Sequence, residues 1–136
     1  MKSRTTLSSS VPKVRDYRDL LVWQRSITLV TKVYNIAESF PKRELFGLTS
    51  QLHRAAVSVP SNIAEGQQRR SAGEFKRFLS IALGSLGEVD TQLFVARELK
   101  YFDSETLNDA RTDICEIRKM ISGLIASLEM QLGNRS

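Results

Sequence analysis

AAVSVPSNIAEG, residues 55–66, holds an apparent contradiction. Ala55, Ala56 and Val57 begin as a helix and Ile63-Ala64 keep its apolar rhythm, yet Pro60 stands between them. A proline inside a helix removes an amide donor and clashes with the preceding turn, at a cost of roughly 3 kcal/mol. The apolar positions stay in phase across it all the same. Leu45, Leu48, Leu52, Ala55 and Val59 recur at spacings of three and four, and Ile63 continues the series. One helix kinked at Pro60 accounts for this better than two helices. The kink frees the carbonyl near Ala56, and Ser58, Ser61 and Asn62 are short polar residues suited to bonding freed backbone groups. Glu65 has either Arg54 or Arg69 as a partner. Ser61, Asn62 and Glu65 then form a structural polar patch buried at the bend; the other reading gives them a ligand or nucleic-acid role. Gly66 is the expected stop of this second helix.

The same rhythm runs through three more segments. Before it, Trp23, Ile27, Val30, Tyr34 and Ala37 predict a first helix, capped by Asp19 and closed by Phe40-Pro41. After it, Ser71-Ala72-Gly73-Glu74 fits a capping box. The third helix then carries Phe75, Phe78, Leu79, Ala82, Leu86, Val89, Leu93 and Ala96 inward. From 72 to 100 it spans on the order of 40 Å. Tyr101-Phe102 turns the chain, and Asp103 or Ser104 caps a fourth helix with the stripe Leu107, Ala110, Ile114, Ile117, Ile121, Leu124 and Leu128. No segment alternates with period two, so no sheet is expected. The prediction is an all-α, up-down-up-down four-helix bundle with a Pro-kinked second helix, spanning 17–132.

Residues 1–16 lie outside that pattern. MKSRTTLSSSVPKVR is Ser/Thr-rich, without periodicity, and reads as a flexible basic leader. The chain carries a net charge of +5. Lys2, Arg4, Lys13, Arg15 and Arg18 oppose Asp16 alone, so residues 1–18 supply +4 of it. Such an arm suits phosphate contact or simple solubilisation. Its 136 residues fit one domain, and a composition of 41% apolar and 26% charged residues is that of a globular protein. There is no run of about 18 apolar residues, so no membrane span and no membrane partner is expected. The N-terminus has no secretory pattern, and the single Cys115 rules out an internal disulfide. Both point to a cytoplasmic setting.

There is more apolar surface than one bundle needs. The first helix has a second stripe, Val22, Leu29, Val33 and Ile36. The third has Leu83 and Phe94 off its seam, and Ser80, Gly84, Gly87 and Thr91 along one line. Interior glycines cost up to about 1 kcal/mol each against alanine, so two on one face suggest close approach of another backbone. Together these features suggest an oligomer.

Catalytic chemistry is scarce. His53 is the only histidine and Ser50 precedes it where a Glu-x-x-His site needs glutamate. Cys and His are too few for zinc, and no phosphate-binding glycine loop is present. No enzyme, metal or cofactor is expected. Basic groups are the positive feature. Arg54 lies on the second helix, Arg69 and Arg70 in the following link, and Lys76 and Arg77 in the first turns of the third, where the helix N-terminus adds to an anion site.

DLLVWQRSITLVTKVY, FPKRELFGLTSQLHRAAVSVPSNIAEGQQRRSAGEFKRFLSIALGSLGEVDTQL and ARELKY together resemble the bacterial four-helix bundle proteins of the rRNA intervening-sequence family, over roughly 17–130. FGLTSQLHRAAVSVPSNIAEG is the most specific part. The accessory variability proteins of diversity-generating retroelements are similar to that family. The resemblance implies a homopentameric barrel with a basic surface, binding RNA or DNA and a protein partner such as a reverse transcriptase, with no enzymatic activity. Arg54, Ser61, Asn62, Glu65, Gly66 and Arg70 match the family pattern, whereas its usual arginine at 53 is His53 here. The expected function is therefore a non-catalytic oligomeric accessory protein. It would bind nucleic acid electrostatically through Arg54, Arg69, Arg70, Lys76 and Arg77, with Lys13, Arg15 and Arg18 of the leader. A protein–protein adaptor is the alternative.

Overall fold

The structure, a computed structural model, describes residues 16–133; Lys13, Arg15 and the rest of the leader before Asp16 lie outside the described residues. Four helices account for most of it: α1 Leu21–Ala37, α2 Leu48–Gln68, α3 Ala72–Glu98 and α4 Ser104–Gly133. No strand occurs among the described residues. Single 3-10 turns, Tyr17–Asp19 and Lys42–Glu44, precede α1 and α2.

Neighbouring helices run antiparallel, as paired side chains show. Along α3 and α4, Lys76 meets Glu129, Asp90 meets Arg111, and Arg97 meets Ser104. Along α1 and α4, Arg25 meets Glu116 and Lys32 meets Asp109 and Asp113. Along α2 and α3, Gly66 faces Phe75 and Phe78 while Ser58 meets Ser85. The core between them is aliphatic, with Leu52, Val59, Ile63, Leu79, Leu86, Leu93, Ile114, Ile117 and Ile121 almost fully buried. Apolar burial of this kind supplies most of a bundle's stability.

The stripes expected for α2, α3 and α4 face this core, apart from Leu45, which is exposed in the connection before α2, and Phe78, which lies outside the core with Arg69 and Arg77 over its ring. The stripe expected for α1 does so only in part: Ala37 is buried, and Trp23 and Val30 are partly buried against the core. Ile27 and Tyr34 are exposed, whereas Val22, Leu29, Val33 and Ile36, read above as surplus, are buried. Ser26 is the reason. It lies in phase with those aliphatics and is itself buried, its hydroxyl donating to the Trp23 carbonyl at 2.7 Å. A polar residue whose hydroxyl is satisfied within its own turn occupies a core position without penalty.

Two boundaries also differ. Asp19 does not cap α1; it ends the Tyr17–Asp19 turn, which Asp16 caps by accepting from the Arg18 amide, and Leu20 takes the N-cap position. Gly66 does not stop α2. It lies buried within the helix, which runs on to Gln68, and Arg70 adopts the left-handed conformation at φ 60 that the glycine was expected to supply. Pro60 sits inside the continuous helix. Asp103 caps α4, accepting from the Thr106 amide at 2.6 Å. Half of the capping box on α3 is made: Ser71 Oγ accepts from the Glu74 amide at 3.2 Å, while the Glu74 carboxylate turns to Arg77 and Arg69.

Against the expectation of no membrane span, α3 is by length and composition apolar enough to cross a membrane, its most apolar window having a mean hydropathy of 1.2. In the bundle its inner face is core, and Ile81, Phe94 and Val95 lie exposed on the outer one.

Candidate nucleic-acid interface

The basic residues grouped by sequence separate into two kinds. Most are neutralised. Arg69 pairs with Glu65 at 3.0 Å and Glu74 at 3.8 Å, and Arg77 pairs with Glu74 at 3.1 Å. Both guanidinium groups lie over the Phe78 ring. The Glu74 carboxyl is held below its usual range by the hydrogen bond from Arg77 and the nearby charges of Arg77 and Arg69. Lys76 reaches across to Glu129 at 3.2 Å. Arg18 is tied to Asp16 at 2.7 Å, which lowers the Asp16 carboxyl to about 2. The cluster at the α2–α3 link is thus a mixed-charge network rather than a bare cationic surface, because Glu65 and Glu74 fall at helical spacings from the arginines.

Arg54 and Arg70 are different. Both are exposed and neither has an ion-pair partner among the described residues. Arg70 protrudes from the link between α2 and α3 on its left-handed backbone. Arg54 stands on the outer side of α2 between two grooves. One, of about 480 Å³, is lined by Gln51, Ala55, Ser58, Glu88 and Gln92 as well as Arg54. The other, of about 390 Å³, is lined by Tyr34, His53, Val57, Ser58 and Ser61 together with Arg54.

The walls of these grooves are ordered by contacts absent from the sequence reading. Tyr34 and His53 lie face to face, their ring centroids 3.8 Å apart and their planes within 2°. Burial pushes the His53 imidazole below its ordinary pKa, and its Nε2 has no hydrogen-bond partner among the described residues. Gln92 Oε1 is likewise buried and unpartnered. The expected patch of Ser61, Asn62 and Glu65 is not one cluster. Ser61 faces solvent and Glu65 is bound to Arg69. Asn62 turns inward, its amide donating to the Ser58 carbonyl at 2.8 Å and to Ser58 Oγ at 2.9 Å, and Ser58 Oγ meets Ser85 Oγ at 2.8 Å. The internal polar chain is Ser58, Asn62 and Ser85. Ser85 holds a core-facing position on α3, and a small polar residue in core phase opposite Ser58 is the signal that would have located it.

A second basic group lies at the other end of the bundle. Lys42 and Arg43 in the turn before α2 and Lys100 after α3 are exposed, and Arg43 sits over the Tyr101 ring. The Tyr101 hydroxyl donates to Glu44 at 2.7 Å, which lowers the Glu44 carboxyl and raises the tyrosine. Beside them Phe46 is 93% exposed. Among the described residues no three His, Cys, Asp or Glu side chains gather as a metal site.

The family model for 23S rRNA-intervening sequence proteins matches residues 18–123. No curated protein matches the chain. Among solved structures, the fold is similar to that of a protein of unknown function from the S23 ribosomal protein family of Bacteroides thetaiotaomicron. That likeness has a TM-score of 0.71 and 24% identity, and covers 77% of this chain and 98% of the other.

Proposed function

Since the chain belongs to the 23S rRNA-intervening sequence protein family, whose function is unknown, we propose that it is a non-catalytic accessory protein that assembles into an oligomer, a pentameric ring, and binds RNA or DNA electrostatically. The observation that carries this reading is the unpaired positive charge of Arg54 and Arg70, set on a rigid helix and at its end while the neighbouring cations are neutralised. Water meets exposed guanidinium groups in the free chain, and phosphate is the macromolecular partner whose geometry suits them best. In a ring the same two arginines repeat around an axis, so weak contacts add by avidity. Binding of this kind is largely independent of sequence and falls steeply with salt. The exposed outer face of α3, with Gly84 and Gly87 open to solvent and Ile81 and Val95 beside them, supports the assembly.

Size-exclusion chromatography with light scattering, with and without a short structured RNA at low salt, tests both parts. A particle of several subunits that grows on adding RNA, and shrinks again as salt is raised, is the expected result. A monomer that ignores RNA contradicts the reading. The adaptor reading has its own support in Phe46, because a fully exposed aromatic on a turn braced by Glu44 has the form of an anchor for a protein partner. Under that reading, Phe46→Ala abolishes partner capture and nucleic acid has no effect.

A further inference from the structure

The groove between α1 and α2 combines features that no basic patch requires. Tyr34 is 41% exposed although one face of its ring lies flat on His53. Its exposed area is therefore the other face and the edge. His53 is half-buried with its Nε2 enclosed, and the stacking on it orients the tyrosine ring as a flat shelf. Val57 adds apolar floor. Arg54, Val57, Ser58 and Ser61 follow one line along α2, at spacings of three, one and three, so the charged and hydroxyl groups flank the shelf over roughly 10 Å. No carboxylate lines this groove, in contrast to its neighbour, where Glu88 does. Arg54 and Ser61 are both exposed there.

A flat aromatic surface next to an unpaired guanidinium matches a ligand that is itself flat at one end and anionic at the other. A nucleotide has that form. In a duplex the base faces are already stacked on each other, and only an unpaired strand can offer one to a protein ring. We propose that the α1–α2 groove takes one unstacked nucleotide of a single-stranded nucleic acid, with the base on Tyr34 and the phosphate on Arg54 and the Ser61 hydroxyl. This rests on the nucleic-acid reading above and narrows it to single strands.

Fluorescence anisotropy with the full chain tests this, using a labelled twelve-nucleotide oligouridine, the same length of RNA duplex, and uridine monophosphate as competitor. The single strand is expected to bind more tightly than the duplex. Tyr34→Ala is expected to weaken single-strand binding about tenfold while duplex binding, which also reports that the variant is folded, is unchanged. Arg54→Gln is expected to weaken both and to lower the salt slope by about one. Equal loss on single strand and duplex in Tyr34→Ala, or no loss, overturns the groove as a base site and leaves the wider reading standing. No binding of either nucleic acid overturns both. Competition by uridine monophosphate at the oligomer's own per-site concentration assigns the groove to free nucleotide instead and overturns the single-strand proposal.

Discussion

A β-carbon on Gly66 would stand 2.7 Å from the β-carbon of Phe78, and 3.3 Å from the Phe75 carbonyl oxygen. The helices α2 and α3 approach closely here, and the absent side chain is what allows it. Gly66→Ala is expected to lower stability by about 1–3 kcal/mol, since the clash is with backbone and ring stems that cannot rotate away. Gly87 is the control. A β-carbon there meets nothing within 4 Å, so in an isolated subunit Gly87→Ala should gain up to about 1 kcal/mol of helix propensity. Thermal melts of the two variants give both numbers. A loss in Gly87→Ala, together with a smaller particle, would mean that another subunit covers the outer face of α3.

Arg70 is held at φ 60, a conformation costing a non-glycine residue about 1 kcal/mol. Arg70→Gly should therefore raise the melting temperature while removing an unpaired cation. If the residue serves phosphate binding, the stabler protein binds nucleic acid more weakly and with a shallower salt dependence. A variant that gains stability and keeps its full affinity would take Arg70 out of the interface.

His53 gives the fold an acid limit. Burial lowers its pKa in the folded chain below the ordinary 6.5. The unfolded chain therefore binds the proton first. The stabilisation is intact above about 6.5 and is lost as the pH falls below that value. Arg54 lies beside it with no carboxylate lining the groove, so nothing there compensates an imidazolium. Urea midpoints should fall between pH 7 and pH 5.5 in the native chain and stay level in His53→Phe. The depressed carboxylates, such as Glu44, act in the same direction but only toward and below their ordinary value of 4.5, outside that window.

The Ser58–Asn62–Ser85 chain joins α2 to α3 beside Pro60. Asn62→Ala removes two hydrogen bonds to Ser58 and should cost about 1 kcal/mol, with Ser85→Ala similar. Because both act on Ser58, the double variant should cost less than the sum. Unfolding measurements on the four proteins of the cycle check this. Unchanged stability with reduced nucleic-acid binding in Asn62→Ala would make that residue functional instead of structural.

The helices and most of the core were legible because aliphatic residues at spacings of three and four leave few alternatives. Misreadings arose where a residue's environment, not its type, decides. On α1, Ile27 and Tyr34 are apolar positions that the bundle leaves exposed, while Ser26 stands in the buried stripe behind a polar side chain. Gly66 looked like a helix end, since glycine serves close contact and chain reversal equally well and only tertiary structure distinguishes them. At the interface the arginines were legible, and so was Glu65 as a partner for Arg54 or Arg69, of which the structure pairs it with Arg69. Glu65 and Glu74 stand close enough in sequence to predict neutralisation. The reach of Lys76 to Glu129 and the stacking of His53 on Tyr34 join separate helices, and no local pattern encodes them.

The pairing of Lys32 with Asp113, 81 residues away, and of Arg25 with Glu116, 91 residues away, has a consequence for the order of assembly. Joined by the short link around Arg70, α2 and α3 need close only a small loop to meet. The contact of the first helix with the last encloses far more chain than its contact with α2, so its loop-closure cost from the unfolded chain is the larger. Synthesis imposes the same sequence, since α4 leaves the ribosome after the others. The α1–α4 seam is therefore expected to be the last part to close. Charge removal at Lys32 should speed unfolding while hardly slowing folding.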